Sequence, residues 1–249
     1  MSHVLVVTVG TSALTAKDLK DNLPPYEGKR LGEDIQGYLD AEAEEKAFIA
    51  IRDNLQSRVL NAHRVFWATK PRSFRRCYRS SAEMMSCKVL LAKLDSPVDR
   101  VLLLASHTHE GELAAEINKL LLREYLFAPQ LDPSISCERV DELKTVREDF
   151  GTLFETLTTI LSRYSRARDK LVFNFTGGFK GLIPALTWIA EHRFPGAPMF
   201  YVHADMTAAA IIHFPEPPAG VPGLALEGAQ QRRETLSEPE ILVYRLEGK

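Results

Sequence analysis

Three times along this chain a short apolar run breaks into a polar loop and then resumes at helical spacing. His3–Val9 ends in Gly10-Thr11-Ser12, Arg100–Ala105 ends in Ser106-His107-Thr108-His109-Glu110-Gly111, and Leu171–Phe175 leads into Thr176-Gly177-Gly178-Phe179-Lys180. Apolar, β-branched runs of this length suit strands covered on both faces. Strands alternating with helices predict an α/β fold, a mostly parallel sheet with helices on both sides. Each polar loop then falls between the carboxyl end of a strand and the start of a helix, where open α/β sheets bind ligands.

The third loop carries the strongest chemistry. Gly177 and Gly178 permit positive φ and close approach of the backbone, and the first N–H groups of the helix that follows lack intrahelical partners and favour an anion. Lys180 adds a full charge there, and Asn174 and Thr176 add polar side chains. The same pattern also describes a tight strand-to-helix turn with a solvent-facing Lys. In the first loop, Thr11 and Ser12 supply hydroxyl and N–H donors suited to a phosphate or a ribose, or alternatively a helix cap. In the second, Ser106 and Thr108 read as hydroxyl donors or caps, and Gly111 as relief for a close backbone approach. His107, His109 and Glu110 lack a further paired ligand, so no metal site and no cofactor is expected.

Between these loops, Ala13–Gly32 is polar and interrupted by Pro24-Pro25 and Gly28, and reads as a loop or short irregular helix. Asp34–Leu60 reads as a long helix, continuous or interrupted, Val65–Thr69 as a short strand, Ser80–Leu94 and Thr145–Tyr164 as helices, and Ile135–Val140 as a strand. Arg58 and His63 have the Arg-x4-His spacing of HEPN ribonucleases, without the helical domain that would give it meaning. Lys70–Arg79 is densely basic, more consistent with a solvated face than with a ligand site. After the helix Leu182–Glu191, Met199–Val202 and Ala208–Phe214 read as strands. A Pro- and Gly-rich stretch, Pro215–Gly223, precedes an edge strand at Ile241–Leu246. One domain over 1–214 is expected, with 215–249 packed on it as a short β extension.

A formal net charge of −2 argues against a protein that coats long nucleic acid, while leaving room for a small enclosed polyanion. Cys77, Cys87 and Cys137 have neither disulfide nor zinc spacing, and no apolar stretch approaches bilayer length. A cytoplasmic, unexported protein is expected. The Gly-x-Gly-x-x-Gly fingerprint of dinucleotide-dependent oxidoreductases is absent from Gly10-Thr11-Ser12.

Taken together, Gly10-Thr11-Ser12, Ser106–Gly111 and Asn174-Phe-Thr-Gly-Gly-Phe-Lys180 resemble the CARF (CRISPR-associated Rossmann fold) family, in particular its stand-alone ring-nuclease branch. Ser81-Ala-Glu83, Tyr201-Val-His-Ala204 and His213-Phe-Pro-Glu-Pro-Pro218 fall in the order that family shows, and His107 and Ala204 stand where acidic residues are common in it. The resemblance implies a Rossmann-like homodimer that binds cyclic oligoadenylate, cyclic tetra-adenylate first, across its two-fold axis. It further implies metal-independent cleavage by the substrate's own 2′-hydroxyl, leaving a 2′,3′-cyclic phosphate and ending a type III CRISPR antiviral signal. Ser12 and Lys180 are the expected catalytic residues, Ser12 orienting ribose or phosphate and Lys180 stabilising charge on the phosphate and leaving oxygen. The expected ligand contacts are Gly10 and Thr11 on the first loop, Ser106, His107, Thr108, Glu110 and Gly111 on the second, and Asn174, Thr176, Gly177, Gly178 and Phe179 on the third. The alternative is a non-catalytic sensor that binds the same ring and acts through a partner protein.

Overall fold

The computed structural model describes residues 1–15, 20–21, 23–40, 45–69, 74–127, 133–140, 150–178, 181–202, 208–213 and 240–245. The apolar runs form β1 (Ser2–Val9), β2 (Arg100–Ser106), β3 (Ser134–Val140), β4 (Asp169–Asn174) and β5 (Met199–Tyr201), joined by β6 (Ala208–His213) and β7 (Glu240–Arg245). They lie in one sheet in the order β3-β2-β1-β4-β5-β6-β7. The first five are mutually parallel, and β6 and β7 add antiparallel, with β7 at the edge.

Side-chain alternation divides the core. Leu5, Val7, Val9, Val101, Leu103 and Ala105 point to one face, and Val4, Val6, Leu102, Leu104, Leu171 and Phe173 to the other. The first face is covered by α2 (Pro25–Asp40), α3 (Glu45–Ala68), α4 (Phe74–Ser80), α5 (Ala82–Leu91) and α6 (His109–Tyr125), following the single turn α1 (Ser12–Thr15). The second is covered by α7 (Phe150–Leu161) and α8 (Leu182–Arg193), through Leu153, Leu157, Leu161, Leu186 and Ile189. Strands buried on both faces explain the uninterrupted apolar runs. The architecture is Rossmann-like.

Two local expectations give way. Val65–Thr69 is not a strand: α3 runs through Ala68, because Leu55, Val59, Ala62 and Phe66 recur at helical spacing and are all buried. The stretch Ala13–Gly32, read as a loop or short irregular helix, does contain helix, but its second half belongs to the 16-residue α2, which Pro25 opens, its missing N–H costing nothing at the first helical position. Residues 70–73 of the basic stretch, the Pro- and Gly-rich Pro215–Gly223, and Ala204 lie outside the described residues.

Candidate functional site

The chain leaves β1 for β2 and β3 on one side, then returns to lay β4 against the other side of β1. That reversal opens a crevice at the carboxyl ends of β1 and β4, the position where such sheets take ligands. The register pairs Val9 with Ala105 and Val7 with Asn174, so the three polar loops leave along one edge of the sheet. A cavity of about 510 Å³ opens at the opposite edge, between His3, Asp169 and Pro198. The loops with the polar chemistry lie away from it, and the topology favours their edge.

The organising group at that edge is Glu83. Ser81 caps α5, its backbone extended (φ −159°, ψ 116°) and its Oγ accepting the Met84 N–H at 3.0 Å. Glu83 therefore lies in the first helical turn, yet it is completely buried. The Gly10 N–H donates to its Oε1 at 2.8 Å and the Ser12 hydroxyl donates to its Oε2 at 2.5 Å. The Ala82 N–H in turn donates to Ser12 Oγ at 3.1 Å. The single Ser81 hydrogen has a nearer acceptor in Asn118 Oδ1 at 2.9 Å than in Glu83 Oε2 at 3.3 Å, which leaves Ser12 as the main donor to that oxygen. Burial pushes the Glu83 carboxyl above its usual range, against the opposing effect of the bonds from Ser12 and Gly10.

The third loop closes over the same carboxylate. A Cβ on Gly177 would meet Glu83 Oε1 at 2.1 Å, and one on Gly10 would meet the Gly178 nitrogen at 2.8 Å. Gly178 has φ +86°, and Thr8 donates its hydroxyl to the Gly177 carbonyl. The glycine pair is thus needed for the approach of this turn to β1 and Glu83. Asn174, expected to contact ligand, is instead fully buried: its amide nitrogen donates to Ser86 Oγ at 2.8 Å and its Oδ1 accepts the Thr176 N–H at 3.1 Å. It ties the end of β4 to α5. Thr176 is half-buried and accepts the Val202 N–H at 3.2 Å. Gly181 begins α8 with no side-chain cap. Phe179 and Lys180 lie outside the described residues.

In the second loop, Thr108 is the cap of α6, accepting the Gly111 N–H at 3.1 Å, and its hydroxyl meets that of Ser106 at 3.1 Å. Of the two hydroxyls read as donors or caps, Thr108 is the cap, and Ser106 is its hydrogen-bond partner. Gly111 is buried against Ser106, while His107 and Glu110 are exposed and half-buried at the crevice edge. Among the described residues no group of three or more His, Cys, Asp or Glu converges as a metal site. Asn118 on α6 links this loop's helix to Ser81, and through it to the Glu83 cluster.

The structure therefore gathers Gly10, Ser12, Gly177 and Gly178 around one carboxylate, with Thr11 exposed beside them. Gly10 spends its N–H on Glu83 instead of offering it to a ligand, a correction to its expected role. Glu83 itself escapes a reading of candidate residues because Ser81-Ala-Glu83 matches an ordinary capped helix start with an acidic first turn. Its burial is the distinguishing signal. Arg58 and His63 share no site: Arg58 pairs with Asp34, and His63 is buried with Nε2–H donating to the Ala13 carbonyl at 2.9 Å.

Residues 78–217 match the CRISPR-associated protein family Cas_APE2256. The chain belongs to that family. The match covers more than half of the 249 residues and includes α5 with Glu83, the second loop and the third loop. β1 and Ser12 precede it, reached from within the matched part by the Glu83 carboxylate. No curated protein matches the chain. No described helix is long and apolar enough to cross a membrane.

Proposed function

We propose that this CRISPR-associated protein is a ring nuclease for cyclic oligoadenylate, with cyclic tetra-adenylate as first substrate and linear di-adenylate ending in a 2′,3′-cyclic phosphate as product. Its role is to end a type III CRISPR signal. The observation that carries the reading is Ser12, half-exposed at the β1–β4 crevice with its hydroxyl fixed between the Glu83 carboxylate and the Ala82 N–H. Family membership and the resemblance of the three loops supply the ligand class.

The chemistry asks little of the protein. A ribose 2′-oxygen attacks the adjacent phosphorus while the 5′-oxygen leaves opposite, so holding the three atoms in line removes much of the barrier. A fixed hydroxyl such as Ser12 orients the ribose. Lys180, by resemblance, stabilises the charge that develops on the phosphate and the leaving oxygen. A homodimer presents each loop twice, which suits a ring with two-fold symmetry.

The test is incubation with cyclic tetra-adenylate, with and without EDTA, and chromatographic separation of the products. Linear di-adenylate with a cyclic phosphate end, formed equally in EDTA and lost in Ser12→Ala and Lys180→Ala variants that still bind, supports the reading. A ring that binds and stays intact makes the protein a sensor. Failure to bind rings of four or six nucleotides refutes the ligand class.

A further inference from the structure

We infer that Ser12 and Glu83 form a proton relay, with buried Glu83 acting through Ser12 as the base that removes the 2′-hydroxyl proton. This rests on the ring-nuclease reading and supplies what that mechanism otherwise lacks.

The geometry follows from hydrogen-bond valence. Ser12 Oγ has one hydrogen and two lone pairs. Its hydrogen goes to Glu83 Oε2 at 2.5 Å and one lone pair receives the Ala82 N–H at 3.1 Å. One lone pair remains, on a side chain that is half-exposed at the crevice while Glu83 has no exposure at all. Ser12 is therefore presented as an acceptor, matched to a donor such as the ribose 2′-hydroxyl. Glu83 Oε1 is occupied by the Gly10 N–H at 2.8 Å, which prevents the carboxylate from rotating and keeps Oε2 on Ser12. Gly177 closes the remaining side.

In the step itself, the 2′-hydroxyl proton passes to Ser12 Oγ as the Ser12 proton passes to Glu83 Oε2. The P–O2′ bond forms and the P–O5′ bond breaks. The departing 5′-oxygen takes a proton from a solvent water, and Glu83 returns its proton through Ser12 to the hydroxide so formed. The reaction isomerises the ester with no net uptake of proton or water. Burial raises the Glu83 carboxyl above its ordinary range, against the bonds from Ser12 and Gly10, and so strengthens it as a proton acceptor. The titratable groups that sense Glu83 are Tyr78 on α4 and Cys87 one turn along α5, both pushed up to about 12. α6 contributes the neutral Asn118, the one titratable group of β1, His3, stands at the strand's opposite end, and the described part of the Gly177 turn contributes none.

Glu83→Gln tests the relay directly. The Gly10 N–H demands an acceptor, so the amide oxygen must face Gly10 and the amide NH2 must face Ser12, turning the Ser12 hydrogen outward. Ring binding, measured with the uncleavable 2′-deoxy tetra-adenylate, is expected to persist. Single-turnover cleavage of cyclic tetra-adenylate should fall by roughly 10²-fold or more, the scale of a lost general base. The wild-type rate should rise with pH and level off as Glu83 ionises, and the variant should lack that break. Should the variant lose its fold by near-UV circular dichroism, the wild-type protein still decides: a rate that varies as a curved function of solvent deuterium fraction, reporting two protons in flight, supports the relay. Wild-type cleavage with a linear dependence, or an E83Q rate and pH profile equal to wild type, overturns the relay and leaves the ring-nuclease reading standing. Absence of wild-type cleavage on any ring overturns that reading and the relay with it.

Discussion

Gly177→Ala is the sharpest probe of the packing around Glu83. The new Cβ would lie 2.1 Å from Oε1, 2.7 Å from Cδ and 2.8 Å from Cγ of Glu83, so the root of the carboxylate is struck as well as its tip. Gly177 does not occupy the positive-φ region, and the cost is one of space alone. Forced displacement in a packed interior costs about 1–3 kcal/mol. Glu83 would also draw away from the Gly10 N–H at 2.8 Å, a charge-assisted bond worth about 1.5–3 kcal/mol. Since a shifted carboxylate keeps part of its bonding, about 3 kcal/mol is the expected total, or roughly 6–12 °C in Tm for a chain of this size. Calorimetry of G177A, Glu83→Ala and the double variant makes the cause visible. With Cγ, Cδ and Oε1 removed, the Gly177 substitution should cost under about 1 kcal/mol, giving an interaction energy near 2 kcal/mol for the pair. A G177A Tm within about 2 °C of wild type, or penalties that simply add, would refute the close packing of this turn on Glu83.

Burial lowers His63 to about 4 from its ordinary 6.5, so between these values the unfolded chain binds a proton that the folded chain refuses. The histidine's contribution is therefore complete above about pH 6.5 and declines by about 3 kcal/mol toward pH 4. Glu83, raised by burial, tilts stability the other way, falling as pH rises through its folded pKa. Urea titrations of wild type and His63→Gln across this range should differ by the histidine limb alone, and parallel curves would contradict it. Asn174→Leu should lower stability by about 2 kcal/mol or more in the same assay, because the Thr176 N–H and Ser86 Oγ lose their buried partner. Gly111→Ala places a Cβ 2.4 Å from the Ser106 carbonyl and should cost about 1–3 kcal/mol.

The runs that became β1, β2 and β4, the helices that separate them and the edge strand β7 were legible in the residues, because strand and helix periodicities are local properties. Local pattern was weakest where short segments suit either state. Val65 and Phe66 look like strand residues, but Leu55, Val59 and Ala62, three, two and one turns earlier, extend the buried stripe of α3 through Phe66 and leave Val65 on the exposed side. The three loops at one edge were legible too, since the position of each after an apolar run follows from chain order. What each residue does there was not. Gly177 and Gly178 read as a cradle for a ligand, and the fold fills the space beneath Gly177 with a carboxylate; Asn174 reads as a ligand contact, and the fold closes its amide on Ser86 and the Thr176 N–H. Ser12 and Glu83 are 71 residues apart, and their 2.5 Å contact exists only because β1 delivers one to the sheet edge and α5 buries the other beside it. By itself the sequence determined the elements, their order and the edge at which polar residues collect, through periodicity and turn chemistry. Tertiary structure alone decided which polar groups face a ligand and which hold one another, because burial and hydrogen-bond partnership depend on segments that meet only after folding.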